Sequence, residues 1–225
     1  MKDFLIDGHE ISIKLMDSSY IMGENERSRA VTVDIDCRHM SPSWPNPLYS
    51  TYYRKLLEAY DIGPVLLWEG RRVVGFLPLT IIDCGIPQLP LCIHYTGGLD
   101  YCAEEHIDLR MIEEADPIPF DRLSPKEIRI GCMCVHPSLR GNSLSATMIR
   151  FVIDEAGKRG WGTIRARPMI DNEPYSFYPT VSFWKRLGFD TVGSVRTFGP
   201  GRNAWDRSKA IDIALRLDRW RKTAR

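Results

Sequence analysis

Residues 127–189 hold the pattern that leaves this chain the fewest folds. Glu127–Val135 reads as a strand and His136–Asn142 as a tight turn. In Leu144–Arg159, Met148, Val152 and Ala156 share one helical face, with Ile149 and Ile153 beside it. Gly160 follows, so the spacing predicts an amphipathic helix with a glycine stop. Trp161–Met169 reads as a second strand, Tyr178–Leu187 as a short helix stopped by Gly188, and Phe189–Val195 as a third strand. Such alternation belongs to the α/β class. The turn also delivers Arg140-Gly141 into the helix opening at Leu144. Backbone N–H groups without intrahelical acceptors converge at such a corner, and the helix dipole adds partial positive charge. That suits an anion, in particular a pyrophosphate.

The remaining elements fit one domain over residues 1–225. Ile11–Leu15 and Val31–Ile35 alternate as half-buried strands and give residues 1–40 an atypical strand-bearing start. Three prolines in Ser41–Pro47 precede Leu48–Tyr60, where Tyr52, Leu56, Leu57 and Tyr60 fall on one helical face. Val65–Trp68 and Val73–Ile82, joined by Glu69-Gly70-Arg71-Arg72, read as a hairpin. Residues 83–125 are irregular, with an acidic helical stretch at Ala103–Ala115 and a breaker at Asp116–Pro119. A connection this long points to an insertion with a function, such as a substrate lid. Ala210–Leu217 is a last strand, and Asp218–Arg225 a basic, fraying end.

Composition removes several classes. Lys+Arg number 30 and Asp+Glu 29, so no net field favours nucleic acid or an anionic membrane. The longest apolar runs, such as Gly63–Trp68 and Val73–Leu79, fall far short of the roughly 18 residues of a membrane span. Met1-Lys2-Asp3-Phe4 shows no signal-peptide pattern. Six cysteines match no common zinc spacing and are too sparse for a disulfide scaffold. They read as reduced core thiols of a cytoplasmic protein, and no metal is expected.

Val135-His136-Pro137 followed by Arg140-Gly141, together with Phe183-Trp184-Lys185-Arg186-Leu187-Gly188-Phe189, resemble the GNAT superfamily of acyl-CoA-dependent N-acetyltransferases. The likeness covers roughly residues 45–217. It implies an α/β fold with a mixed, twisted, mostly antiparallel sheet and helices on both faces, and acetyl-CoA as cosubstrate. It also implies that backbone amides of Arg140, Gly141, Asn142, Ser143, Leu144 and Ser145 hold the pyrophosphate, and that Met133, Cys134 and Val135 line the pantetheine arm. Ser143 and Ser145 stand where the family pattern has Gly and Gly or Ala. A serine still presents its N–H and adds a hydroxyl, but it also adds bulk.

The implied reaction is acetyl transfer to a primary amine by direct attack. A lysine-like amine has a pKa of about 10.4, so neutralising it at pH 7 costs roughly 4–5 kcal/mol. A general base relieves part of this, and a strand N–H near Met133 is placed to stabilise the oxyanion. Glu127, at the start of the strand, is the candidate base; some family members carry a catalytic Glu at such a position. The family's frequent acid, a Tyr shortly before Gly-Phe, is replaced by Trp184, which reads as packing. Tyr178 is the candidate acid, with Tyr175 as substitute. His136 reads as an exposed turn residue, His94 as a candidate base or substrate contact, and the acidic run Glu104-Glu105 and Glu113-Glu114-Asp116 as a solvated helix face, with attraction of a cationic amine as the alternative. The acceptor is a small-molecule or peptide amine. Alternatives are a non-catalytic CoA-binding module, a longer acyl chain, or a non-amine acceptor. A homodimer through the apolar hairpin or the last strand is left open.

Overall fold

The computed structural model describes residues 2–6, 8–16, 32–33, 47–88, 107–131, 133–171, 179–197 and 209–218. β1 (Lys2–Ile6) and β2 (His9–Leu15) form a hairpin around Gly8, whose φ of +83° favours glycine. The sequence reading had only the second of these strands. β1 carries mostly exposed side chains and so lacks a clear apolar alternation. Of the expected strand at Val31–Ile35, β3 (Thr32–Val33) is described.

α1 (Pro47–Tyr60) buries Tyr52, Leu56 and Tyr60 as the periodicity predicts. Tyr53 is buried as well, whereas Leu57 is only half-buried. The predicted hairpin is present as β4 (Val65–Glu69) and β5 (Arg72–Leu77), turning at Gly70. Val65, Leu66 and Leu67 of β4, and Val73, Val74, Phe76 and Leu77 of β5, are all buried. Successive strand residues face opposite ways, so both faces of this hairpin are covered. Each such side chain contributes roughly 1.5–3 kcal/mol of burial.

Pro78 then interrupts the strand, which resumes as β6 (Leu79–Ile81). α2 (Leu109–Glu113) is the described part of the acidic helical stretch; the Asp108 side chain caps it by accepting from Met111 N at 2.9 Å.

The single strand expected at Glu127–Val135 is two strands, β7 (Glu127–Ile130) and β8 (Cys134–Val135). Leu79 pairs with Ile130 and Phe76 with Cys134. Three steps of chain on one side therefore face four on the other, and the extra residue is a β-bulge.

α3 (Leu144–Lys158) buries Met148, Ile149, Val152, Ile153 and Ala156, and packs on β4 and β8. Gly160, at φ +80°, ends it. β9 (Thr163–Ala166), α4 (Val181–Arg186), β10 (Asp190–Thr191), β11 (Arg196–Thr197), β12 (Lys209–Ala210) and β13 (Ile213–Arg216) complete the order. The expected strand Ala210–Leu217 is broken because Ala210 pairs with Arg196 while Ile213 pairs with Ala166.

One sheet runs β1-β2-β4-β5-β3 with β8 also on β5, and a second runs β10-β13-β9-β7-β6. Only β3–β5 and β7–β9 are parallel among the described pairs, giving a mixed, mostly antiparallel α/β architecture. Among the described residues no helix is long and apolar enough to cross a membrane, and no His/Cys/Asp/Glu group is arranged to hold a metal.

Candidate active site

The bulge opens the sheet at one place. Before it, β7 is paired on both edges, with β6 and with β9. After it, β8 keeps β5 on one edge, while β9 continues only with β13. His136 N donates to Val74 O at 2.8 Å, so residues 134 and 136 turn their backbone groups toward β5. Alternation turns those of Val135 the other way, into the gap. Arg140 Nε donates to the Val135 carbonyl at 3.2 Å. Met133, Cys134 and Val135 are all half-buried there.

The loop that follows is held by Leu139, buried under a short 3-10 turn at Pro137–Leu139. His136 is part of that scaffold: its Nδ1 lies 2.6 Å from Ser138 Oγ. The Arg140 amide donates to Pro137 O at 3.2 Å. Among the described residues the next amides, of Gly141, Asn142, Ser143, Leu144 and Ser145, meet no backbone acceptor; the first bond into the helix is Thr147 N to Ser143 O. Gly141 has φ +87° and nothing within 4 Å of the position its Cβ would take, so a ligand can approach its backbone closely. Ser143 is left-handed, at φ +58° and ψ 15°, and its side chain makes no cap bond. The serine that replaces the usual glycine thus sits in the conformation a glycine would favour.

Glu127 is 4% exposed, and its Oε2 accepts from Arg165 Nε at 2.6 Å. Oε1 accepts no hydrogen bond among the described residues. Tyr178, Tyr175, His94, Glu104 and Glu105 lie outside the described residues. Trp184 is buried, donates Nε1 to Pro179 O at 3.2 Å and meets Phe189 edge-on at 4.9 Å, which is packing as expected. Glu113 and Glu114 are exposed, and Glu114 pairs with Arg110.

Three features escaped the sequence reading. Arg165 pairs with Glu127 across 38 positions. Arg167 holds Asp212 through two bonds, Nε–Oδ1 at 2.7 Å and a second at 3.2 Å. Burial works against the Asp212 charge, yet these bonds and the charges of Arg167, Arg129 and Arg196 prevail and hold its carboxyl below the usual range. Tyr52 of α1 shares a buried hydrogen bond with Thr80, and burial pushes its hydroxyl well above the ordinary phenol range. The signal for the arginines was present: Glu127/Arg129 and Thr163/Arg165 alternate with apolar partners on their strands.

Several solved structures share the architecture. That of yncA from Salmonella typhimurium, solved with its cofactor acetyl-CoA, aligns with a TM-score of 0.51 at 15% identity over 92% of this chain and 94% of that one. GphF, a GNAT-like decarboxylase in complex with isobutyryl-CoA, gives 0.51 at 14% identity over 92% and 99%. A spermidine N-acetyltransferase SpeG chimera from Vibrio cholerae and hSSAT gives 0.50 at 9% identity over 93% and 97%. At such identities these likenesses concern the fold. No curated protein matches by sequence. The sequence does match the acetyltransferase (GNAT) family over residues 31–189. That match spans more than two thirds of the chain and takes in the bulged strand, the loop and the helix beyond it, so the chain belongs to the GNAT acetyltransferase family.

Proposed function

We infer that the protein transfers an acetyl group from acetyl-CoA to a primary amine of a small molecule or peptide, by direct attack. The observation that carries this reading is the one-residue bulge, which leaves the Val135 amide facing a gap beside the N-terminus of α3, with the Val135 carbonyl held by Arg140. A pantetheine arm carries amides that can bond such an edge like an added strand. The α3 opening, with the free amides from Gly141 to Ser145, suits the pyrophosphate. The open space over Gly141 fits a closely approaching phosphate.

In the reaction, the amine nitrogen forms a bond to the thioester carbonyl carbon, the C–S bond breaks, and the thiolate leaves. The amine's proton passes along a chain of waters toward Glu127 Oε1, since Glu127 stands six residues before Met133, about 20 Å of extended chain, and a strand amide near Met133 stabilises the oxyanion. The thiolate then takes a proton from solvent or from Tyr178. Calorimetry with acetyl-CoA and thiol release across an amine panel test this together. Binding that weakens at least about tenfold in Gly141→Val, with release that falls at least about tenfold in Glu127→Gln, is expected. Binding without release for any amine favours a non-catalytic CoA module; no binding removes the reading.

A further inference from the structure

On the second sheet, the face turned away from Ile128, Ile164 and Ile213 carries arginines that the acetyl-transfer chemistry leaves unused. Thr80, Arg129, Arg165 and Ala214 are direct cross-strand partners on β6, β7, β9 and β13, so their side chains share that face. Glu127 and Arg167, two positions from Arg129 and Arg165, lie on it as well. Glu127 neutralises Arg165, and Asp212 neutralises Arg167. Arg129 is half-buried and has no hydrogen-bond acceptor among the described residues; it acts on Asp212 only through its charge. A half-buried guanidinium normally has an anionic or carbonyl partner, because leaving its donors unmet is unfavourable. Arg129 stands two residues before Gly131, where the strand parts from β9, which is about 7 Å of extended chain.

We propose that the acceptor amine belongs to a molecule bearing a carboxylate or phosphate, and that Arg129 receives this anionic group on the arginine-bearing face, a few bonds from the amine. This rests on the acetyl-transfer reading and names the substrate class of the same site. A planar guanidinium with free donors matches either anion, singly or in bidentate fashion. A polyamine would meet charge of its own sign there. The exposed carboxylates that suit a cationic amine, Glu113 and Glu114, lie on or just beyond α2, off this face.

Calorimetry on the full-length protein loaded with CoA tests it with two matched pairs: β-alanine against propylamine, and O-phosphoethanolamine against ethanolamine. In at least one pair the anionic member is expected to bind about tenfold tighter or more. Arg129→Gln is expected to bring that ratio close to one, and Arg129→Lys to keep part of it, with melting curves reporting whether each variant folds. The wild-type ratio stands by itself if a variant does not fold. Equal affinities within both pairs, tighter binding of the members without the anion, no detectable binding of either anionic amine, or a ratio untouched by Arg129→Gln overturns the proposal. Thiol release with acetyl-CoA in place of CoA separates the two readings. Preference without release keeps the anion site and removes acetyl transfer; release without preference does the reverse.

Discussion

β7 and β8 are one stretch of chain with two different surroundings. β7 is bonded along both edges and holds a buried carboxylate against a guanidinium. β8, four residues on, is bonded along one edge and turns the other to a gap. What divides them is a stretch one residue longer than the chain opposite. The contrast teaches where a sheet of this kind keeps its chemistry. The closed half gains stability from pairing, while the open half gives up a strand partner and leaves an edge on which the proposed ligand would lie. Variants in the two halves should therefore report on different quantities.

The largest effect is expected in the closed half. Arg165→Met leaves the Glu127 side chain, 5% exposed, without its partner and should lower stability by about 3 kcal/mol in urea unfolding. Glu127→Gln should cost only about 1 kcal/mol, because the Arg165 side chain left behind is 38% exposed and remains partly hydrated. CoA affinity of the folded Arg165→Met protein should stay close to wild type. A large loss of that affinity would show that the two halves are not independent.

Gly141→Val tests the open half. A β-branched residue at φ +87° costs about 1–2 kcal/mol of backbone strain, and its side chain fills the space over the loop. CoA affinity should fall at least about tenfold, which corresponds to about 1.4 kcal/mol. An unchanged affinity by calorimetry would mean that the ligand does not approach this backbone.

Asp212 flanks the gap from β9's far side and gives the comparison a pH dependence. Its carboxyl is held below the unfolded value of about 3.9, so its contribution is complete above that value and is lost as pH falls through the folded one. Wild type should lose stability on acidification below about pH 4. Asp212→Asn should be less stable by about 1 kcal/mol at pH 7, with a flatter acid limb in thermal melts. Parallel acid limbs would place the charge effect elsewhere.

The parts of the fold legible in the sequence are those set by local periodicity. The β4–β5 hairpin and α3 announce themselves through apolar spacing and through glycines at Gly70 and Gly160 that the turns require. The bulge was not legible, because it exists only as a mismatch between two strands about 55 residues apart in the chain; Pro78 and Gly131 opposite each other are its faint trace. The loop is legible in Arg140-Gly141, yet the engagement of the Arg140 amide with Pro137, and of its side chain with Val135, depends on how the 3-10 turn folds the chain back. The arginine face was visible as alternation within each strand, whereas the ion pairs that leave Arg129 over depend on register.

The smallest effect sharpens the open half most. Ser143 departs from the family pattern at the one loop position besides Gly141 where the backbone is left-handed. A serine there carries a Cβ clash of about 1 kcal/mol that glycine lacks. Glycine in turn makes the unfolded chain more flexible, which offsets part of that gain. Ser143→Gly should therefore raise stability by about 0.5 kcal/mol in urea unfolding, and affinity for CoA should rise modestly as the bulk next to the free amides disappears. The two readouts separate what the serine does. Higher stability with lower affinity would mean that its hydroxyl, which makes no bond within the protein's own helix cap, is a ligand contact and the reason a serine is kept where glycine fits the backbone better.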